Sequence, residues 1–458
     1  MQRFIKGTAI DLSSEGKGVV KNRSDIIFVD GLFPDETADI ELLYQRAGVY
    51  YGKVKHLDRL SKERIQPKCK ICTSCGGCQY QQLDYKAQLK YKTKRVREAL
   101  SRIAHINHEV LPCIGANNPY NYRNKIQVPF VKDRNGVVKF GFYKENTHII
   151  MPIKECAIED KRAAPILWDI KLLLEEMNIP TYNEDNGRGI LRYVLIRTSY
   201  HYDELMVVLV TTQMNFPGQR NFVNELVNRH PEITTIVENV NSRRTNVILG
   251  DKEKVLYGPG HIKDDILGLT FEISASSFFQ INPEQVEKLY STALNLLDSN
   301  KEEVVLDAYS GVGTIGLIAA RNAKQVISVE INKSAHKNAI ENAKRNNVNN
   351  IQFMCDDAGK FITKYIGDID VLIMDPPRSG SDETFLSTVM AKKIKKIIYV
   401  SCNPETLARD IAYLSPLYEV KYVQPVDMFP MTAHVETVVG LSLKGNNNGV
   451  NIQSNSFK

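Results

Sequence analysis

The 458-residue sequence has no long apolar run. No window approaches the roughly 18 consecutive apolar residues that a membrane-spanning helix needs. The opening residues, Met1-Gln2-Arg3-Phe4-Ile5-Lys6-Gly7, lack the apolar stretch of a signal peptide. A cytoplasmic location without a membrane partner is therefore expected. A strong charge bias is also missing, since the net charge is +6 and the isoelectric point lies near 8.7. That balance suits a polyanionic partner without identifying one. With 43% hydrophobic residues, the chain is too long for a single core and suggests about three domains. No obligate protein partner is evident, and a monomer is expected.

Cysteine is scarce but concentrated. The eight cysteines stand at 69, 72, 75, 78, 113, 156, 355 and 402, so four of them crowd into ten positions. In a reducing compartment such a cluster reads as a metal or iron–sulfur site rather than as disulfides.

The expected fold is a multidomain α/β protein. Residues 1–58 carry short alternating runs such as Lys17-Gly18-Val19-Val20 and Ile26-Ile27-Phe28-Val29, separated by Gly31 and Pro34. This pattern predicts a small OB-like β-barrel. Residues 59–272 read as an α+β middle domain containing the cysteine cluster. Within it, 82–104 is helical and rich in Lys and Arg, so one face is either solvated or turned toward RNA. Residues 273–445 alternate strands and helices, which predicts a doubly wound, Rossmann-like sheet. The Asn- and Ser-rich tail, 446–458, reads as disordered.

Within the last domain, Asp307-Ala308-Tyr309-Ser310-Gly311-Val312-Gly313-Thr314 follows a strand and opens a helix. A lone Gly-x-Gly is weak by itself. However, Glu330 at the end of the next strand can accept bonds from both ribose hydroxyls of a nucleoside, and Asp357 after the third can meet an adenine. These residues place an adenosine moiety without choosing between NAD and S-adenosylmethionine. The third glycine of a dinucleotide site is missing, which favours the methyl donor.

Cys402 follows the apolar run Ile397-Ile398-Tyr399-Val400 and precedes Asn403-Pro404. Read alone, it is either a core thiol or a nucleophile. Asn403-Pro404 ends the strand and starts a helix, and a helix N-terminus lowers a thiol pKa. Glu436, between His434 and Thr437, supplies a carboxylate, though alone it would pass for a surface residue. Asp375, in Asp375-Pro376-Pro377-Arg378, ends another strand in a loop stiffened by two prolines. A thiolate adding to C6 of uracil makes C5 nucleophilic, and a base must then remove the C5 proton. Nucleophile plus base is the minimum set for methylating that carbon.

Jointly these motifs resemble the RNA 5-methyluridine methyltransferases, and within them the 23S rRNA branch that carries a 4Fe–4S cluster. The resemblance covers nearly the whole chain. It implies that residues 1–58 form a TRAM domain, an RNA-binding barrel. It also implies that Gln280, in Phe278-Phe279-Gln280-Ile281-Asn282, contacts S-adenosylmethionine together with Tyr309, Glu330, Asp357 and Asp375. Cys402 falls on the family's nucleophile and Glu436 on its base. Cys69, Cys75, Cys78 and Cys156 fall on its four cluster ligands. Two departures stand out. Cys72 extends the run to Cys-x2-Cys-x2-Cys-x2-Cys, which leaves zinc and a competing ligand open. Thr314 occupies a position where some relatives carry Asn. The family's counterpart of 82–104 packs on the catalytic domain, which would make the middle domain discontinuous. Alternatives are the same chemistry on tRNA, a non-catalytic iron–sulfur RNA-binding module, and a cytosine-5 methyltransferase.

Overall fold

The computed structural model describes residues 4–144, 147–298 and 301–445. The tail expected to be disordered, 446–458, lies outside the described residues. Strands β1 (Phe4–Leu12), β2 (Gly18–Asn22), β3 (Asp25–Asp30), β4 (Thr37–Arg46) and β5 (Val49–Arg59) close into a barrel in the order β1-β2-β3-β5-β4. The barrel is the one expected from the turn spacing. Its core is small: Ala9, Val20, Ile27, Val29, Leu32, Ala38 and Ile40. Gly18 is there for close approach, because a Cβ would lie 2.4 Å from the Leu32 carbonyl oxygen.

A single turn, α1 (Cys72–Cys75), precedes α2 (Tyr85–Arg102), whose N-cap Asp84 accepts a bond from the Lys86 amide. By internal packing the chain divides into two compact units. The first comprises Met1–Thr73, Gly77–Asn117 and Gln285–Lys458; the second comprises Ser74–Gly76 and Asn118–Glu284. This division differs from borders drawn at 58 and 272, and the reason is side-chain packing. Val96, Ala99 and Leu100 of α2 share one apolar cluster with sheet residues such as Leu306, Tyr399 and Leu441. Phe33 of the barrel packs with Tyr80, Leu83, Ala87 and Ala433.

The second unit holds β6 (Lys125–Lys132), β7 (Val138–Tyr143), β8 (Ile150–Pro152), α3 (Ala163–Glu176), β9 (Leu191–Thr198), β10 (Leu205–Thr211), α4 (Gln219–Arg229), β11 (Thr235–Val240) and β12 (Lys252–Tyr257). Its seven strands run in the order β12-β11-β10-β9-β6-β7-β8. A hairpin of β13 (His261–Ile266) and β14 (Leu269–Ser274) follows.

After α5 (Pro283–Leu294) comes the doubly wound sheet: β15 (Val304–Ala308), β16 (Gln325–Val329), β17 (Ile351–Met354), β18 (Val371–Met374), β19 (Lys396–Ser401), β20 (Tyr418–Val426) and β21 (Glu436–Leu443). Between them run α6 (Thr314–Ala319), α7 (Lys333–Arg345), α8 (Ala358–Lys364), α9 (Glu383–Lys392) and α10 (Pro404–Leu414). The strand order is β17-β16-β15-β18-β19-β21-β20. β15 to β19 pair in parallel, and β21 runs antiparallel between β19 and β20. β18 and the central Ile397–Val400 of β19 are apolar on both faces, and both strands are buried throughout, as parallel strands covered by helices must be.

Candidate active site

The order of strands reverses between β15 and β18, because the chain winds outward to β17 on one side and to β19 on the other. Open α/β sheets bind ligands at the carboxyl ends of strands at such a switch point. The loops there carry Tyr309 to Gly313 after β15 and Asp375 to Arg378 after β18.

The loop after β15 is held in unusual backbone geometry. Tyr309, Gly311 and Gly313 have φ of 64°, 58° and 80°. Tyr309 is the informative one, since a side chain in the left-handed region needs support from its surroundings. Glu330 supplies part of that support. Its Oε2 accepts the Gly311 amide at 2.8 Å, and its Oε1 accepts the Asn332 amide at 2.6 Å. Each carboxylate oxygen still has a lone pair for a ribose hydroxyl. Among the described residues Ser310 Oγ is buried without a hydrogen-bond partner, and nothing stands within 4 Å of where a Gly311 Cβ would be. An orphaned hydroxyl beside an open glycine face fits a polar ligand such as the donor's nucleoside.

Asp357 caps α8 by accepting the Lys360 amide. Gln280 lies in the second unit, where its backbone carbonyl accepts a bond from Asn124 Nδ2 at 3.1 Å.

Cys402 and Glu436 are brought opposite each other by strand register. The last pair of the β19–β21 ladder is Ser401 with Thr437. One step further, Cys402 leaves β19 as Glu436 enters β21. Asn403 caps α10 by accepting the Glu405 amide, and its Nδ2 donates to the Arg378 carbonyl at 3.1 Å. The Asp375–Arg378 loop is thereby tied to the helix that follows the thiol.

The electrostatics of the site correct one sequence-based expectation. Burial, reinforced by the negative charges of Glu436 and Asp375, pushes the Cys402 thiol up to about 11, against the opposing pull of Arg378. The helix start does not produce a low thiol pKa here, because desolvation and two carboxylates outweigh it. Glu436 is itself raised to about 8, by burial first and then by Asp375. Burial raises Asp375 to about 7, and burial with the nearby Asp375 and Glu330 charges raises Asp307 to about 7. Several acids near one switch point, all displaced toward neutrality, mark a functional site. The Arg378 charge lowers the pKa of both Cys402 and Glu436, yet in the sequence it showed only as the end of Asp-Pro-Pro-Arg. Asp307 is a buried acid that accepts a bond from Ser328 Oγ at 3.0 Å, and only its place at the end of β15 marked it.

The cysteines are placed less decisively. Cys69, Cys72 and Cys78 belong to the first unit, while Cys75 and Cys156 belong to the second. None of the eight is in a disulfide. Among the described residues, no group of three or more His, Cys, Asp or Glu side chains is gathered closely enough to hold a metal ion. Among the described residues, no helix is long and apolar enough to cross a membrane.

Residues 242–444 match the family described as tRNA (uracil-5-)-methyltransferase. An uncharacterized RNA methyltransferase of Staphylococcus aureus (strain MRSA252) is 39% identical over 442 residues, covering 96% of this chain and 98% of its own. Another, from Oceanobacillus iheyensis, is 41% identical over 443 residues, covering 95% and 96%. Among solved structures, the tRNA (uracil-54, C5)-methyltransferase of Pyrococcus abyssi, in complex with S-adenosyl-L-homocysteine, superposes with a TM-score of 0.77. It is 28% identical and covers 95% of this chain and all of its own. Fold, switch-point site and relatives define the class: an S-adenosylmethionine-dependent RNA methyltransferase. Within that class, the chain belongs to the RNA uracil-5-methyltransferase family.

Proposed function

We propose that this protein methylates C5 of a uridine in 23S rRNA through a transient bond between Cys402 and C6. The observation that carries the covalent reading is the register at the end of β19 and β21, which sets Cys402 against Glu436 beside Asp375. S-adenosylmethionine supplies an electrophilic methyl group. Gln280, Tyr309, Glu330, Asp357 and Asp375 are the residues proposed to hold it. Cys402 Sγ bonds to C6, and the electron pair moves onto C5. Once C5 has taken the methyl group, which leaves S-adenosylhomocysteine, Glu436 takes the C5 proton, the C5=C6 double bond returns and the S–C6 bond breaks with its electron pair going back to Sγ. Glu436 raises the Cys402 pKa, and Asp375 raises both, so the site disfavours gathering several negative charges at once. A sequence that needs the thiolate first and the carboxylate afterwards uses that property.

Large-subunit rRNA is favoured by the cysteine run in the family branch that this sequence resembles. A tRNA substrate is the second reading. It is supported by the Pyrococcus abyssi relative, which acts on uracil-54 of tRNA. The barrel does not separate the two readings, because the twentieth of this chain outside that match is shorter than Phe4–Arg59. Mapping 5-methyluridine in the rRNA and tRNA of a strain lacking the protein tests the choice. Loss from 23S rRNA alone is expected; loss from tRNA alone establishes the second reading.

A further inference from the structure

Cys402 lies just past the end of β19, whereas Glu436 is the first residue of β21 and pairs with Val426 of β20. The β19–β21 ladder stops at Ser401 and Thr437, so among the described residues no strand pairing holds the thiol, and the residues before Glu436 form a loop. That loop is strained, with Met431 at φ 68°. One face of α2 grips it. Gln88 Oε1 accepts the Met431 amide at 3.1 Å, Lys92 Nζ donates to the Phe429 carbonyl at 3.1 Å, and Arg95 Nη1 donates to the Ala433 carbonyl at 2.9 Å. Residues 88, 92 and 95 follow the helical spacing of neighbours on one side.

Arg95 also reaches the other reactive end. Its Nε and Nη2 form a forked pair with Glu405 at 3.0 and 2.8 Å. Glu405 stands in the first turn of α10, three residues after Cys402, and Ala433 stands three residues before Glu436. One guanidinium therefore ties the segment carrying the thiol to the segment carrying the carboxylate. Its planar fork fixes both directions at once, which a flexible ammonium cannot do.

We propose that Arg95 is a positioning residue for methyl transfer, a strut that sets the separation of Cys402 and Glu436. This rests on the reading of those two as nucleophile and base. The uracil ring must fit between them, with C6 facing the thiol and C5–H facing the carboxylate, so their spacing enters both the attack and the elimination. A shift of about 1 Å in such a site costs on the order of 100-fold in rate.

Single-turnover assays with 5-fluorouridine-substituted RNA separate this role from RNA binding, because fluorine on C5 blocks proton removal and the adduct accumulates. In Arg95→Ala, adduct formation at saturating RNA is expected to slow about 10- to 100-fold. RNA affinity and its salt dependence should stay at wild-type values. Glu405→Ala, which cuts one arm of the strut at a residue with a side chain 39% exposed, should slow the same step less. The double variant should be no slower than Arg95→Ala, since both act through one strut. Arg95→Lys should recover only part of the rate. A folded Arg95→Ala, or a Glu405→Ala, that forms adduct at the wild-type rate overturns the proposal. So does a defect that lies in RNA affinity with a shallower salt slope, which would make Arg95 a phosphate contact. Failure of the underlying reading shows separately, as methylation that persists in Cys402→Ala.

Discussion

At the residue scale, the two groups proposed to react are shifted away from the protonation states that the proposed chemistry needs. Cys402 is pushed up to about 11 and Glu436 to about 8, so the thiol and the protonated acid prevail at neutral pH. The sequence showed both residues but not this coupling, because strand pairing brings together carboxylates that are distant along the chain. Cys402→Ala should abolish methylation while leaving RNA affinity within about twofold, as expected when only the covalent step is lost. A filter-binding titration beside a methyl-transfer assay checks both. The pH dependence has a definite sign. Glu436 binds its proton more tightly folded than unfolded, so stability present below about 4.5 is lost as pH rises through about 8. Gln cannot ionise, so Glu436→Gln should gain stability relative to wild type as pH climbs through that window. Urea unfolding at pH 5 and pH 8.5 measures the difference, and an equal difference at both pH values contradicts the raised pKa.

At the scale of elements, α2 is where the sequence was most ambiguous. Its lysines and arginines are compatible with a solvated face or an RNA-facing one, yet several are structural. Lys92 is buried against Asp427, which also accepts a bond from Tyr85 Oη at 2.9 Å. Lys94 pairs with Asp11 at 2.7 Å and Arg95 with Glu405. No helical pattern reveals that the partners are a barrel strand, the segment after β20 and the first turn of α10. β20 itself, Tyr418–Val426, was not anticipated, since its burial is irregular and it contains Pro425. The β15–β19 repeats, by contrast, were legible from their apolar runs and spacing. Lys92→Met should destabilise the fold by about 3–5 kcal/mol, because it leaves Asp427 buried and unpaired. Replacing Asp427 with Leu in the same chain should recover much of that loss. Urea midpoints of the single and double variants decide.

At the scale of the whole molecule, barrel, sheet and cysteine run divide the work in a testable way. The barrel and the exposed lysines of α2 are expected to hold RNA through phosphates, which contribute affinity and carry no sequence information. Deleting residues 1–58 should weaken binding and make it less salt-dependent. The log–log slope should become shallower by about 0.7 for each phosphate of a single strand that the barrel had neutralised. The methylated uridine should not change. The cysteine pattern was legible as a metal signal, while among the described residues no ligand set is gathered. Protein purified without oxygen should contain about four irons per chain if Cys69, Cys75, Cys78 and Cys156 hold a cubane cluster. Zinc in place of iron would remove that reading while leaving the chemistry at Cys402 untouched.

The proposed catalysis depends most on a covalent bond from Cys402 to the uridine, released by Glu436. Glu436→Gln, incubated with RNA and S-adenosylmethionine, denatured and analysed by peptide mass mapping, tests it most directly. The predicted result is a denaturation-resistant adduct in which the peptide containing Cys402 carries a methylated uridine. Normal turnover without an adduct, or an adduct on Cys113, Cys355 or any other cysteine, would contradict it.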